Sequence, residues 1–260
     1  MIQAWLDSPT PVLFVTLAAF YAVTGTIIAL VVFGRIFKPL TSRVEGVAPA
    51  YFGVVSILFA LLTGFLASDI SDRNRQAARA VQAEAGALRN VFTLSVAAAA
   101  DMHHIRAAWR AYVESVVNDD WPAMARGEMS ATTDHAYDQL LREVADPGIT
   151  STSGAAVQNA LLSEMVRVGT ARSDRSTLAN DRTNDIKWIM VLLLGVMTQV
   201  GIGVVHLQKR GAHIAALAIF STAAVVALGL VALQESPFEG PVEISPAPFQ
   251  ALLKLGGPGG

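Results

Sequence analysis

Residues 12–34 read VLFVTLAAFYAVTGTIIALVVFG, and no Asp, Glu, Lys or Arg interrupts the run. A hydrocarbon core about 30 Å thick is crossed by about 20 helical residues, so this stretch is predicted to span a bilayer. Three further blocks read the same way: 50–67, short but uncharged, then 186–207 and 212–233. Tyr51 and Phe52 stand at the head of the second block, and Lys187 and Trp188 at the head of the third. Aromatic and basic residues collect at such interfacial positions. Of the 260 residues, 53% are hydrophobic and only 15% charged, against about 25% charged in a typical soluble domain. The shortfall is concentrated in the four blocks, which separates membrane spans from one large soluble core.

The predicted fold class is all-α: a polytopic membrane protein with four transmembrane helices and a helical extramembrane domain, residues 68–185, inserted between spans two and three. In that domain, Val81, Ala85, Leu88, Phe92 and Val96 recur at helical spacing over 69–97, with Asp72, Arg75, Arg79, Gln82 and Arg89 mostly on another face. A second helix is expected from Asp101 as N-cap, with Ile105, Trp109, Tyr112 and Val116 as its stripe. Asn118-Asp119-Asp120-Trp121-Pro122 is expected to stop that helix and start a short one. Tyr137, Leu140, Leu141 and Val144 mark a further helix, ended at Pro147-Gly148. A long helix from Ala155 carries Val157, Leu161, Met165 and Val168 on one face, and no proline stops it from running on into the third span. The C-terminal tail, 234–260, is Pro- and Gly-rich. Pro237, Pro241 and Pro246 make its first part extended, Pro248 to Leu253 are expected to form a short amphipathic turn at the membrane interface, and Gly256 to Gly260 are expected to be disordered.

Several function classes fall away. The net charge of −2 argues against a nucleic-acid partner. Without cysteine there is no disulfide, thiolate metal site or Cys nucleophile. No phosphate-binding Gly loop, nucleophile elbow or His–Glu–His spacing occurs. His103 and His104 are adjacent and diverge by about 100° on a helix, so they cannot chelate one metal together. No enzyme, metal or cofactor is therefore expected. The start Met1-Ile2-Gln3-Ala4-Trp5-Leu6-Asp7 has no basic residue before the first apolar run, unlike a secretory signal.

Orientation follows Lys and Arg in short connections. Arg35, Lys38 and Arg43 lie between spans one and two, and Lys209 and Arg210 between spans three and four. Loop charge therefore puts the short connections in the cytoplasm and the middle domain outside. Arg73, Arg75, Arg79, Arg175 and Arg182, at the domain's edges, pull the other way.

A channel needs a ring of helices, a constriction and a charged vestibule. The second span offers Phe52, Ser56, Phe59 and Thr63 at intervals of four, three and four. Aromatic edges are partly positive and hydroxyls can donate to an anion, so these four are pore-lining candidates. Ordinary helix packing accounts for the same pattern. Arg75 and Arg79 are candidates for an anion-attracting vestibule, with a solvated or salt-bridged face as the alternative. In span three, Gly195, Gln199 and Gly203 share a face, and Gln199 at mid-membrane is expected to make a packing hydrogen bond.

Four groups of residues together resemble the bestrophin-like domain family of bacterial and plant membrane proteins: Leu62-Thr63-Gly64-Phe65; Glu84-Ala85-Gly86-Ala87-Leu88; Tyr112 followed by Asp120-Trp121-Pro122-Ala123-Met124 and Gly127; and Pro237-Phe238-Glu239-Gly240 with Ile244-Ser245-Pro246. With the two-plus-two layout of spans, the resemblance covers nearly the whole chain. It implies a relation to bestrophins, pentameric anion channels whose second span lines a hydrophobic neck. It thereby implies self-association as a pentamer, small inorganic anions as cargo, and the inner membrane of a bacterium. Phe59, with Phe52 and Thr63, would fall near that neck. No dense acidic cluster follows the last span like the one bestrophins use for calcium, and bestrophins keep the middle domain in the cytoplasm, opposite to the loop-charge reading. Two functions from different classes remain at this stage. One is a homo-oligomeric, chloride-type anion channel with span two at its pore; the other is a membrane-anchored sensor or scaffold whose helical domain binds a partner.

Overall fold

Nothing between Ala48 and Ala97 breaks a helix: the stretch holds one proline, in its first turn, and its glycines are isolated. The second span and the first helix of the middle region accordingly form one helix of 50 residues. The computed structural model describes residues 2–34, 48–98, 100–205 and 209–255, with side chains from residue 52 onward in the second stretch. The described elements are α1 (Ile2–Leu6), α2 (Thr10–Phe33), α3 (Ala48–Ala97), α4 (His103–Ser115), a π-helical turn (Val116–Asp120), α5 (Trp121–Met124), α6 (Ala131–Val144), α7 (Gly148–Ser153), α8 (Ala155–Asn180), α9 (Asp185–Val205), α10 (Arg210–Ala232) and α11 (Ala247–Leu255). Among the described residues there is no strand. The basic connection with Arg35, Lys38 and Arg43, the Tyr51 side chain and the terminal glycines lie outside the described residues.

The chain divides into two compact units: residues 1–71 with 182–235, and 72–181 with 236–260. In the first unit, α2, α9 and α10 and the membrane-length part of α3 are long and apolar enough to cross a bilayer. Only 11–39% of each apolar window is buried within the chain. Val15, Ile27, Leu30 and Ile219 are exposed, a surface suited to hydrocarbon rather than water.

The unit's own core is narrow: Leu13, Leu17, Tyr21, Leu66, Ile70, Trp188, Val191, Ala224 and Leu228. Small residues let the helices close on it. A side chain at Gly195 would run into the Tyr21 hydroxyl, and one at Gly229 into the Phe14 ring. Gln199 ties three helices together: its amide donates to Tyr21 O of α2 and to Ser221 Oγ of α10, each at 2.9 Å, and it accepts from Thr24 Oγ1 at 2.7 Å. This is the packing hydrogen bond expected of it. At one end of the unit, Glu235 is buried and accepts from Thr183 N at 2.7 Å and Trp188 Nε1 at 3.4 Å. Asp7 pairs with Arg182, and Lys187 with Asp69 at 2.6 Å.

These contacts explain one departure from the sequence reading. The helix expected to continue into the third span stops at Asn180, and α9 begins at Asp185. The intervening polar residues are held elsewhere, Thr183 by Glu235 and the Asn184 side chain by Ile186 N at 2.9 Å. Local side-chain acceptors of this kind compete with helix continuation.

The second unit packs α4, α6, α8 and α11 with the remainder of α3. Ala77, Val81, Leu88, Val91, Ile105, Trp109, Tyr112, Leu140, Leu161, Met165 and Val168 are all fully buried in it. Asp101 is not itself the cap of α4, although its carboxylate accepts from His103 N at 3.0 Å. The stop and restart expected at Asn118–Pro122 take place without leaving helical backbone angles at the junctions: α4 ends at Ser115, the π-helical turn follows, and the short α5 opens at Trp121. Pro122 stands in the first turn of α5, where its fixed φ and missing N–H are tolerated. Segment 236–260 also departs from the expectation of a separate tail. It belongs to this unit, and α11 buries Phe249 and Leu252 in the unit's core instead of forming a turn at the interface.

Candidate functional site

Along α3 the exposed positions recur at the helical period. In its first part these are Val54, Ile57, Leu61, Gly64, Phe65 and Ser68, and beyond them Asp72, Arg75, Arg79, Gln82, Gly86, Asn90 and Thr93. At 100° per residue they fall on one continuous stripe. Its composition changes along the helix. Aliphatic and aromatic side chains come first, with Ile57 67%, Leu61 51% and Phe65 61% exposed; acidic, basic and amide side chains follow. Arg75 is paired with Asp72 one turn before it, and Arg79 is exposed.

The four residues expected to line a pore lie off this stripe. Phe59 is half-buried, its ring 5.6 Å from that of Phe220 in a T-shaped contact. Phe52 packs where a side chain on Gly201 would sit. Ser56 and Thr63 are half-buried on the same side of α3. The aromatic and hydroxyl face is therefore the one packed within the chain, and the aliphatic face, which the sequence reading passed over, is the open one. Arg75 and Arg79 do lie on the exposed stripe.

A second arrangement sits inside the second unit. Arg175 of α8 is fully buried between two fully buried carboxylates. Its Nε donates to Glu84 Oε2 at 2.7 Å, and its Nη2 donates to Glu84 Oε1 at 3.3 Å and Asp120 Oδ2 at 2.9 Å. Nη1 reaches Met124 Sδ at 2.8 Å. Tyr112 OH donates to Glu84 Oε1 at 2.6 Å, and Ser130 N to Asp120 Oδ1 at 3.2 Å. The guanidinium carbon lies 5.7 Å from the Trp121 ring centre and 5.8 Å from that of Phe249.

Burial works against the Arg175 charge, but the Glu84 charge and hydrogen bond, with Asp120, outweigh it and leave the pKa raised. Burial, then the Glu84 charge, hold the Tyr112 phenol well above its ordinary range. The π-helical turn places Asp120 inward, and Trp121 joins the tail: its Nε1 donates to Ile244 O at 3.2 Å and its ring meets Phe238 at 5.4 Å. Every polar group here is satisfied within the chain, and the described residues hold no cluster of three or more His, Cys, Asp or Glu that could bind a metal. The geometry is that of a structural clamp.

The clamp draws together three of the four groups that carry the family resemblance, through Glu84, Tyr112 with Asp120-Trp121, and Phe238 with Ile244. Arg175, which sequence reading took only as a charge at the domain's edge, is its centre.

The Bestrophin-like domain profile matches residues 18–249. None of the curated proteins compared matches the chain. Solved structures do, among them variants of a bacterial bestrophin homologue from Klebsiella pneumoniae. One is 12% identical, with a TM-score of 0.71 over 93% of this chain and 97% of that one. A second is 12% identical, with a TM-score of 0.67 over 94% and 97%. A structure of that homologue phased on zinc is 11% identical, with a TM-score of 0.64 over 93% and 96%. At such identity the likeness is one of fold, and it extends over nearly the full length of both chains. With four membrane-length helices, an exposed stripe along α3, and three of the four resemblance segments gathered on one buried clamp, this chain is a membrane protein of the Bestrophin-like domain family.

Proposed function

We propose that the protein is a homo-oligomeric channel for small inorganic anions in the bacterial inner membrane. In this reading the four apolar helices lie in the bilayer, residues 72–181 form an inserted extramembrane domain joined by the tail, and copies close into a ring with α3 facing the axis. The observation that carries the proposal is the α3 stripe. Residues lining a pore between copies must be open in the single chain, and the open stripe passes from apolar to charged.

Ile57, Leu61 and Phe65 would form the neck. Partly positive aromatic edges at Phe65 would suit a partly dehydrated anion. Phe52, Ser56, Phe59 and Thr63 would stand behind the neck as its supporting wall. Arg75 and Arg79 would raise the local anion concentration in the vestibule. A ring of five follows from the family resemblance. The Lys and Arg of the short connections support placing those connections in the cytoplasm, which a reporter fused at Gly211 would read directly; a reporter on the outer side would reverse the assignment.

The decisive test is chloride and nitrate flux from liposomes, comparing wild type with Phe65→Ala and Phe59→Ala. The proposal expects flux above empty liposomes, changed conductance or selectivity in Phe65→Ala, and largely retained selectivity in Phe59→Ala. Flux indifferent to Ile57, Leu61 and Phe65 would remove α3 from the pore. A monomer in mild detergent would remove the ring, leaving the anchored sensor or scaffold as the reading.

A further inference from the structure

A cleft of about 800 Å³ runs between α2 and α10, lined by Ala18, Ala22, Gly25 and Ala29 on one side and Ala218 and Val225 on the other, with Arg210 at one end. It exists because both walls carry small residues where neighbouring positions carry Val, Ile and Leu. From Ala18 to Phe33 it follows about 22 Å of helix, more than the roughly 15 Å depth of one hydrocarbon leaflet.

Three of the polar side chains in the wall are already engaged or turned away. Thr26 Oγ1 donates to Ala22 O at 2.7 Å, Ser221 Oγ accepts from Gln199, and the Tyr21 hydroxyl lies against Gly195. What remains open is hydrocarbon-like, with a cation at one end. Arg210 opens α10 and follows Lys209, and both are exposed. No acidic residue occurs in α2 or α10, so the same face of a second copy offers nothing to neutralise Arg210. A lipid phosphate does.

We infer that the α2–α10 cleft is a binding site for an anionic glycerophospholipid, with one acyl chain in the cleft and the headgroup phosphate on Arg210, supported by Lys209. Arg presents two parallel donors to a phosphate. Each basic residue near an anionic headgroup contributes about 1 kcal/mol, or about five-fold in affinity.

The test is native mass spectrometry of the full-length protein in mild detergent. The protein is incubated with phosphatidylglycerol or phosphatidylcholine carrying identical acyl chains. Wild type is expected to retain phosphatidylglycerol at least about five-fold better. Arg210→Ala is expected to cut that preference about five-fold. Ala22→Leu with Ala218→Leu fills the cleft from two exposed positions and is expected to expel both lipids without changing elution or melting. Should that pair disturb folding, Arg210→Glu, at an exposed position, carries the test and is expected to reverse the preference. Equal retention of the two lipids by wild type would overturn the headgroup assignment. Unchanged retention in the filled, folded variant would overturn the cleft and leave general lipid coating only. Loss of the oligomer on filling would show that a second copy occupies the cleft instead. Each readout is independent of ion flux, so the site stands or falls apart from the channel proposal.

Discussion

Arg175→Met removes the one cation between two fully buried carboxylates while keeping most of the side-chain volume. The guanidinium makes three hydrogen bonds to Glu84 and Asp120, at 2.7, 3.3 and 2.9 Å, with both partners fully buried. Deleting one member of a buried ionic group typically costs about 3–5 kcal/mol, because the opposite charges stay behind unpaired. Tyr112 and Ser130 N can still donate to the carboxylates, which holds the expected loss near the lower end, about 3 kcal/mol. In a chain of this size 1 kcal/mol moves the melting temperature by about 2–4 °C, so the midpoint should fall by roughly 10 °C. The assay is thermal unfolding of the purified protein in detergent, followed by circular dichroism and by tryptophan fluorescence, since Trp121 packs against the guanidinium. Glu84→Gln and Asp120→Asn in the Arg175→Met background should recover most of the loss, because neutral groups of the same shape leave no stranded charge. A single variant that costs less than about 1 kcal/mol, or a triple variant no better than the single one, would refute the view of the site as a charge clamp.

Other outcomes follow from particular contacts. Tyr112→Phe should cost about 1.5–3 kcal/mol, the worth of a buried hydrogen bond to a charged acceptor. The raised Tyr112 pKa means that its contribution is whole below about pH 10 and is lost as pH rises above that value, where only the unfolded tyrosine ionises. Tyr112→Phe should therefore flatten the alkaline limb of a stability–pH profile. Gly195→Ala should destabilise by about 1–3 kcal/mol through overpacking on the Tyr21 hydroxyl. Tyr21→Phe, which removes a hydroxyl with no hydrogen-bond partner among the described residues, should restore it in unfolding assays. Gln199→Leu should cost only about 1 kcal/mol by the same assay, the usual scale of a hydrogen bond between membrane helices.

The four spans were legible because bilayer thickness imposes a length and lipid imposes a composition, and both are local properties of the sequence. Helix ends were less legible. The stop at Asn180 depends on Glu235, more than fifty residues away, and the helical backbone through Asp120 depends on a π-helical turn that Pro122, read locally, argues against. The clamp had a signal that went unused. Glu84 falls in phase with Ala77, Val81, Leu88 and Val91, and Arg175 in phase with Leu161, Met165, Val168 and Ala179, all buried. A charge that keeps the rhythm of an apolar stripe marks a buried ionic partner. Which face of α3 is open was illegible for a different reason. Periodicity finds two opposite faces on a helix, but only packing against other helices decides which one is covered, and the aromatic and hydroxyl residues drew notice to the covered one.

The second unit is assembled from residues 72–181 and from 236–260, which leave the ribosome on either side of the last two spans. Trp121 therefore has no Phe238, Ile244 or Phe249 to meet until both spans have been synthesised. A chain cut short before position 236, or stalled there, would carry an uncovered aromatic surface beside an incompletely enclosed Arg175. Synthesis order thus makes the tail a completion signal: a quality-control protease that recognises exposed apolar surface could tell finished chains from unfinished ones by this unit alone.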